Sequence, residues 1–121
     1  MTTIREQIKQ VIDDEPVAIF MKGTPEQPAC GNSLRALQAL WNAGAPITAV
    51  NVLPDPQIRQ ELSSLSDWPT IPQVFVKGEL IGGADITEEL HASGDLRQKL
   101  DDALGADRDQ EVKTVALALD A

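Results

Sequence analysis

The chain has 121 residues, with 19 acidic and 10 basic side chains and a net charge of −9 at pH 7. This length predicts one domain with a modest core, and the negative charge argues against nucleic acid or an anionic membrane as a partner. The first residues are charged and lack the apolar run of a signal peptide, and no apolar stretch is long enough to span a bilayer. The only cysteine, Cys30, cannot form an internal disulfide, which predicts a reducing, cytoplasmic location.

The first half of the chain predicts alternating helices and strands. Helical spacing of apolar residues predicts a helix over residues 3–13, and the apolar run Val17–Met21 predicts a buried strand. A loop rich in glycine and proline comes next, and a second helix follows Cys30. The predicted buried face of that helix consists of Leu34, Leu37, Leu40 and Trp41.

The second half adds further helices and a hairpin. Strands are predicted over residues 47–52, 73–76 and 79–81. Asp55 is the expected N-cap of the helix after the second strand. Asp85, with Glu88 three residues later, is the expected N-cap of the last helix, and that helix should break near Gly94. The helix-linked first strands should be parallel and the last two antiparallel. This is the order of a thioredoxin fold with an added N-terminal helix, an α/β fold with a mixed four-stranded sheet flanked by helices.

Cys30 lies where a loop meets the start of a helix. Free amide groups and the helix dipole at such a position favour a thiolate over a thiol. A lone cysteine is also commonly a small buried apolar side chain. Position alone therefore leaves a reactive role and a packing role open.

Four segments of the chain together resemble a known family. MKGTPEQPACGNS, LPDPQIRQEL, WPTIPQVFVKGELIGGADI and SGDLRQKL are similar to segments of the monothiol glutaredoxins whose active-site sequence is CGFS. The resemblance implies a glutaredoxin domain over residues 1–105 and a tail over residues 106–121, which could be an edge strand, a partner-binding segment or, as we expect, a disordered end. Asn32 departs from the family, which carries phenylalanine there.

The resemblance implies a glutathione site. Lys22 would lie beside the thiolate and contact a carboxylate of glutathione, and Arg59 would bind the glycine carboxylate. The proline after Ile71 is cis in this family, which leaves the Ile71 backbone free to pair with glutathione as an added strand would. The glycines before Ala84 allow close approach of the ligand, and Asp85 would hold the γ-glutamyl ammonium. Without the resemblance, these would be solvated charges, an ordinary trans proline and a helix N-cap.

A single thiol restricts the possible chemistry. Ser33 stands where a dithiol protein has its second cysteine, so Cys30 needs an outside thiol to resolve a mixed disulfide. A [2Fe–2S] cluster usually needs four thiolates. The resemblance implies a homodimer that bridges such a cluster through two Cys30 thiolates and two glutathiones. A zinc site is less expected, because no set of Cys and His has the required spacing.

The function that this resemblance implies is cluster transfer in iron–sulfur assembly and iron homeostasis. The implied partners are a BolA-type protein and apo iron–sulfur proteins. Two alternatives stay open: a glutathione-dependent thiol–disulfide reductase and a binding module without a cluster.

Overall fold

The structure, a computed structural model, describes residues 2–119. Its helices are α1 (Ile4–Asp14), α2 (Gly31–Asn42), α3 (Pro56–Ser66), α4 (Ala84–Ser93) and α5 (Asp95–Leu104). Its strands are β1 (Val17–Met21), β2 (Ile47–Asn51), β3 (Gln73–Val76), β4 (Glu79–Gly82) and β5 (Val112–Thr114). Within residues 2–119, no helix combines the length and apolar character needed to cross a membrane.

The strands form one mixed sheet in the order β4-β3-β1-β2-β5. As the sequence predicted, β1 and β2 are parallel and β3 and β4 are antiparallel. The structure adds that β3 is antiparallel to β1. This is a thioredoxin-like α/β fold with an added N-terminal helix. The prediction of four strands was wrong, because β5 pairs in parallel with β2 and places Val112 opposite Ile47. All three side chains of β5 are exposed, so no alternation of buried residues marks this strand in the sequence.

Different helices cover the two faces of the sheet. On β1, Val17, Ile19 and Met21 contact the cluster formed by α2, α4 and α5. Ala18 and Phe20, which alternate with them, contact the cluster formed by α1 and α3. All five are fully buried, as expected for a central strand whose successive side chains point to opposite faces.

The segment after α5 returns to the body of the protein. Beyond β5, Val115 and Leu117 pack against the cluster on the α1 and α3 face. The Ala118 N–H donates to Gln7 Oε1 at 2.7 Å, and Gln7 Nε2 donates to the Ala118 carbonyl at 2.9 Å. Residues up to Leu119 therefore do not form the disordered end that we expected.

The buried face of α2 is narrower than predicted. Leu37 and Leu40 are buried, but Leu34 and Trp41 are 38% and 44% exposed. Helical spacing shows which residues share a side of the helix, but not how far the facing sheet extends beneath them. Leu34 and Trp41 lie beyond the covered part.

Candidate functional site

Cys30 is the N-cap of α2, with extended backbone angles (φ −150°, ψ 133°), and its side chain is half-buried. The pKa of its thiol is lowered, chiefly by the backbone N–H of Ser33 in the first turn of α2. Partial desolvation opposes this effect, while the Asn32 N–H and the charge of Lys22 add to it. The start of α2 therefore favours the thiolate form of Cys30 over the thiol.

A tight loop brings Lys22 next to this thiol. The Lys22 N–H donates to the buried Ser33 hydroxyl at 3.0 Å, and its carbonyl accepts from the Ala29 N–H at 2.9 Å. Gly23 has φ +91°, and a Cβ there would lie 2.4 Å from the Gln27 carbonyl oxygen. Only glycine fits that turn, and the turn fixes Lys22 beside Cys30.

A cavity of about 480 Å³ opens beside the N-terminal part of α2. Its walls come from α2, from residues 68–72, which form the segment before β3, and from the start of α4. Three residues of the predicted glutathione site line this cavity: Ile71, Ala84 and Asp85. Its other lining residues are Asn32, Arg35, Trp68, Thr70, Pro72, Gly83 and Ile86.

Three other predicted residues lie outside this lining. Cys30 and Lys22 are at the start of α2 and in the loop before it. Arg59 is exposed on α3, and its Nη2 donates to the carbonyl of Pro69 at 3.4 Å, next to the segment that forms the cavity wall.

The segment before β3 is held from beneath by a buried glutamine. Gln73 Nε2 donates to the carbonyls of Trp68 and Thr70, at 2.9 and 3.2 Å. The Ile71–Pro72 peptide bond is cis, as in the family that the sequence resembles. The side chain of Ile71 is buried, while its backbone N–H and carbonyl have no hydrogen-bond partner within residues 2–119. They are free to pair with an extended ligand.

The start of α4 differs from the prediction. Its N-cap is Gly83, which has no side chain to accept a hydrogen bond, and Asp85 is the second residue of the helix. A Cβ on Gly83 would lie 3.3 Å from the Pro72 carbonyl oxygen, so close packing favours glycine at the cap. The capping role predicted for Asp85 and Glu88 was therefore wrong, since both carboxylates pair with Arg35 instead.

Arg35 joins α2 to α4 across the end of the cavity, a role that the sequence did not reveal. Its Nη1 donates to Asn32 Oδ1 at 2.9 Å, its Nη2 to Asp85 Oδ1 at 2.8 Å and its Nε to Glu88 Oε1 at 3.0 Å. Bonding to Glu88, and then to Asp85, raises the pKa of Arg35, and bonding to Arg35 lowers the pKa of Glu88. Arg35 follows Asn32 by three residues, so helical spacing alone could have placed the two together.

Within the described range of the chain, no group of three or more His, Cys, Asp or Glu side chains is arranged to hold a metal ion. Cys30 is the only thiol in the sequence. This chain therefore offers a metal at Cys30 a single thiolate.

Comparison with known proteins places these features in a family. The family model described as Glutaredoxin matches residues 17–81. Glutaredoxin 4 of Escherichia coli strain K12 is 40% identical over 111 residues, which cover 92% of this chain and 96% of that protein. Monothiol glutaredoxin-S15, mitochondrial, of Arabidopsis thaliana is 43% identical over 103 residues, which cover 85% of this chain and 61% of that protein.

A solved structure agrees with the sequence relatives. The solution structure of reduced poplar apo GrxS14 matches with a TM-score of 0.74 and 38% identity, covering 84% of this chain and 94% of that one. The match of the family model, the E. coli relative of nearly equal length and the shared fold lead to one conclusion: the chain belongs to the glutaredoxin family.

Proposed function

We propose that the chain binds glutathione in the cavity between α2, the segment before β3 and α4. The observation that carries this proposal is Ile71, whose backbone has no hydrogen-bond partner within residues 2–119 and which lines the same cavity as Asp85. Glutathione is an extended peptide with a thiol, an ammonium group and two carboxylates. The Ile71 backbone pairs with the peptide, Asp85 receives the ammonium, and the uncapped amides at the start of α4 favour a carboxylate. Lys22 and Arg59 supply positive charge for the ligand's carboxylates.

The same site is suited to carry an iron–sulfur cluster between two copies of the chain. Each chain offers one thiolate at Cys30, so two chains supply half of the four thiolates that a [2Fe–2S] cluster needs. Two bound glutathiones supply the other half. Because half of the ligands are small molecules, the cluster is cargo that the homodimer passes on, with a BolA-type protein and apo iron–sulfur proteins as partners in cluster assembly and iron homeostasis. The reducing environment that Cys30 and glutathione require fits a cytoplasmic location.

Anaerobic reconstitution tests this function. We expect the protein, given iron, sulfide and glutathione, to develop the visible absorbance of a [2Fe–2S] centre and to elute as a dimer in gel filtration. The Cys30→Ser variant and the wild type without glutathione are the controls, and both should stay colourless and monomeric. A colourless wild type, or a variant that binds the cluster equally well, would disprove the carrier function. A wild type that stays colourless but still binds glutathione would favour the cluster-free binding module.

The lowered thiol pKa favours a second candidate, a glutathione-dependent thiol–disulfide reductase. The Cys30 thiolate would attack the glutathionyl sulfur of a mixed disulfide, forming a Cys30–glutathione disulfide and releasing the substrate as a thiolate. A second glutathione thiolate would then attack this disulfide, releasing oxidised glutathione and regenerating the Cys30 thiolate. Turnover of a glutathionylated peptide that is lost in Cys30→Ser would support this activity, and its absence in the wild type would exclude it.

A further inference from the structure

Arg35 occupies an unusual position between two cavities. With Asn32 and Asp85 it lines the cavity proposed for glutathione, whereas Glu88 lines a neighbouring cavity that Arg35 also borders. Asn32 and Asp85 therefore bond to the guanidinium on the ligand side, and Glu88 bonds to it from the other side. The Arg35 side chain is 40% exposed, so it is fixed in place without being removed from solvent.

The hydrogen-bonding capacity of Arg35 and Asp85 is only partly used. Nη1 carries two hydrogens, and within residues 2–119 only one bond, to Asn32, is made from this nitrogen. The bond from Arg35 uses Oδ1 of Asp85, while Oδ2 has no partner among the described residues, and 83% of the Asp85 side chain is exposed. A free donor on a cation and a free acceptor on an anion thus lie side by side in the cavity wall.

Such a pair is complementary to a group that carries an ammonium and a carboxylate on one carbon atom. We propose that Arg35 binds the carboxylate of the ligand's zwitterionic amino-acid head, beside the contact already assigned to Asp85 and the ammonium of the same head. This inference rests on the proposed glutathione site, since the γ-glutamyl end of glutathione is such a head. Arg35 is then a specificity-determining residue that selects γ-glutamyl thiols over thiols whose head is acylated or amidated.

Titration calorimetry on the apo protein tests this inference with three ligands: glutathione, N-acetylglutathione and a glutathione analogue whose γ-glutamyl α-carboxylate is an amide. We expect the wild type to bind both analogues more weakly than glutathione. Arg35→Gln should bind glutathione about three- to tenfold more weakly, the range expected for a partly exposed charge-assisted contact. It should bind the amide analogue as the wild type does, because the group that Arg35 recognises is already missing from that ligand.

The matched control is Arg5→Gln, which removes an exposed arginine paired with Glu61 across α1 and α3; it should leave all three affinities unchanged. If Arg35→Gln does not fold, as judged by circular dichroism, Arg35→Lys takes its place and should show a smaller loss, because it keeps the charge but loses the fork of donors. The inference alone is wrong if the ratio of the affinities for glutathione and the amide analogue is the same in the Arg35 variant as in the wild type. It is also wrong if the Arg35 variant binds glutathione more tightly than the wild type. If the wild type binds no glutathione, the proposed function fails, and this inference with it.

Discussion

At the scale of single residues, the Cys30 thiol is controlled mainly by backbone groups that mutation cannot remove, and Lys22 is the side chain open to a test. Its charge favours the thiolate, so Lys22→Gln should raise the thiol pKa, and the rate of alkylation at neutral pH should fall. Above both pKa values the two proteins should react alike. Alkylation by iodoacetamide as a function of pH measures this, and high salt should shrink the difference. Lys9→Gln on α1 is the control, and a midpoint that is equal in all three proteins at low salt would contradict the prediction.

We expect Asn32 to shield the neighbourhood of the thiol from water less than a phenylalanine at this position would. Its side chain is exposed at the first turn of α2, and its amide oxygen binds Arg35. In Asn32→Phe, Arg35 keeps Asp85 and Glu88, so the added apolar ring should mainly exclude water. We expect the reconstituted cluster to decay in air about two- to fivefold more slowly, since the apolar shell around a metal site limits solvent access. Asn42→Phe, which adds the same ring at the far end of α2, should decay like the wild type. Equal decay in all three would show that this position does not protect the cluster.

At the scale of elements, α2 depends on the segment that follows α5. Arg108 is only 8% exposed on its side chain, and it donates to Asp101 Oδ1 at 2.5 Å and to the Gly44 carbonyl at 2.9 Å. Gln110 Nε2 donates to the Trp41 carbonyl at 2.7 Å. Trp41 lies in the last turn of α2 and Gly44 directly follows its C-cap, Ala43, so both donors bind at the C-terminal end of this helix. The helix that presents Cys30 at its start is thus held at its other end by residues from the tail.

Removing the Arg108 side chain should therefore destabilise the fold. Arg108→Ala leaves the Asp101 carboxylate and the Gly44 carbonyl without this donor, and we expect a loss of about 2–3 kcal/mol in the free energy of unfolding. Arg97→Ala is the comparison, because Arg97 makes one exposed side-chain bond within residues 2–119, to the Asn42 carbonyl at 3.2 Å. This variant should lose less than about 1 kcal/mol of unfolding free energy. Urea unfolding followed by circular dichroism measures both. Equal losses of unfolding free energy in the two variants would mean that the burial of Arg108 adds nothing to the stability of the fold.

At the scale of the whole molecule, the sequence predicted those features that depend on interactions between residues close together in the chain. The spacing of Ile4 and Ile8 on α1 and the break at Gly94 needed no knowledge of the rest of the chain. For the tail, an edge strand such as β5 was one of three possibilities that the sequence left open, because its partner is the distant β2 and its side chains stay exposed. Likewise, Asp85 has the residue type of an N-cap, but its actual partner, Arg35, becomes available only when α2 packs against α4. The resemblance supplied candidate ligand residues, whereas the network around Arg35 required the assembled fold.

The tail also bears on where the domain ends. The sequence predicts a domain that ends near residue 105. In the structure, β5 in the following segment pairs with β2, and Val115 and Leu117 pack on the α1 and α3 face. A chain that ends at Gly105 loses these contacts together with those of Arg108. We expect it to be less stable than the full chain by more than about 3 kcal/mol, from half-buried apolar side chains added to the Arg108 bonds.

The cavity provides an internal reference for this truncation, because its lining extends only from Asn32 to Ile86. At low temperature and without urea, the shortened chain should bind glutathione with the affinity of the full protein, while it unfolds at a lower urea concentration. A chain that ends at Leu119 keeps every described contact. It serves as the control for any effect of removing residues that does not come from losing those contacts. If the chain ending at Gly105 unfolds at the same urea concentration as this control, the tail contributes no stability and the domain ends before it. If stability and glutathione affinity fall together, the tail also supports the site, through the end of α2 that Arg108 and Gln110 hold.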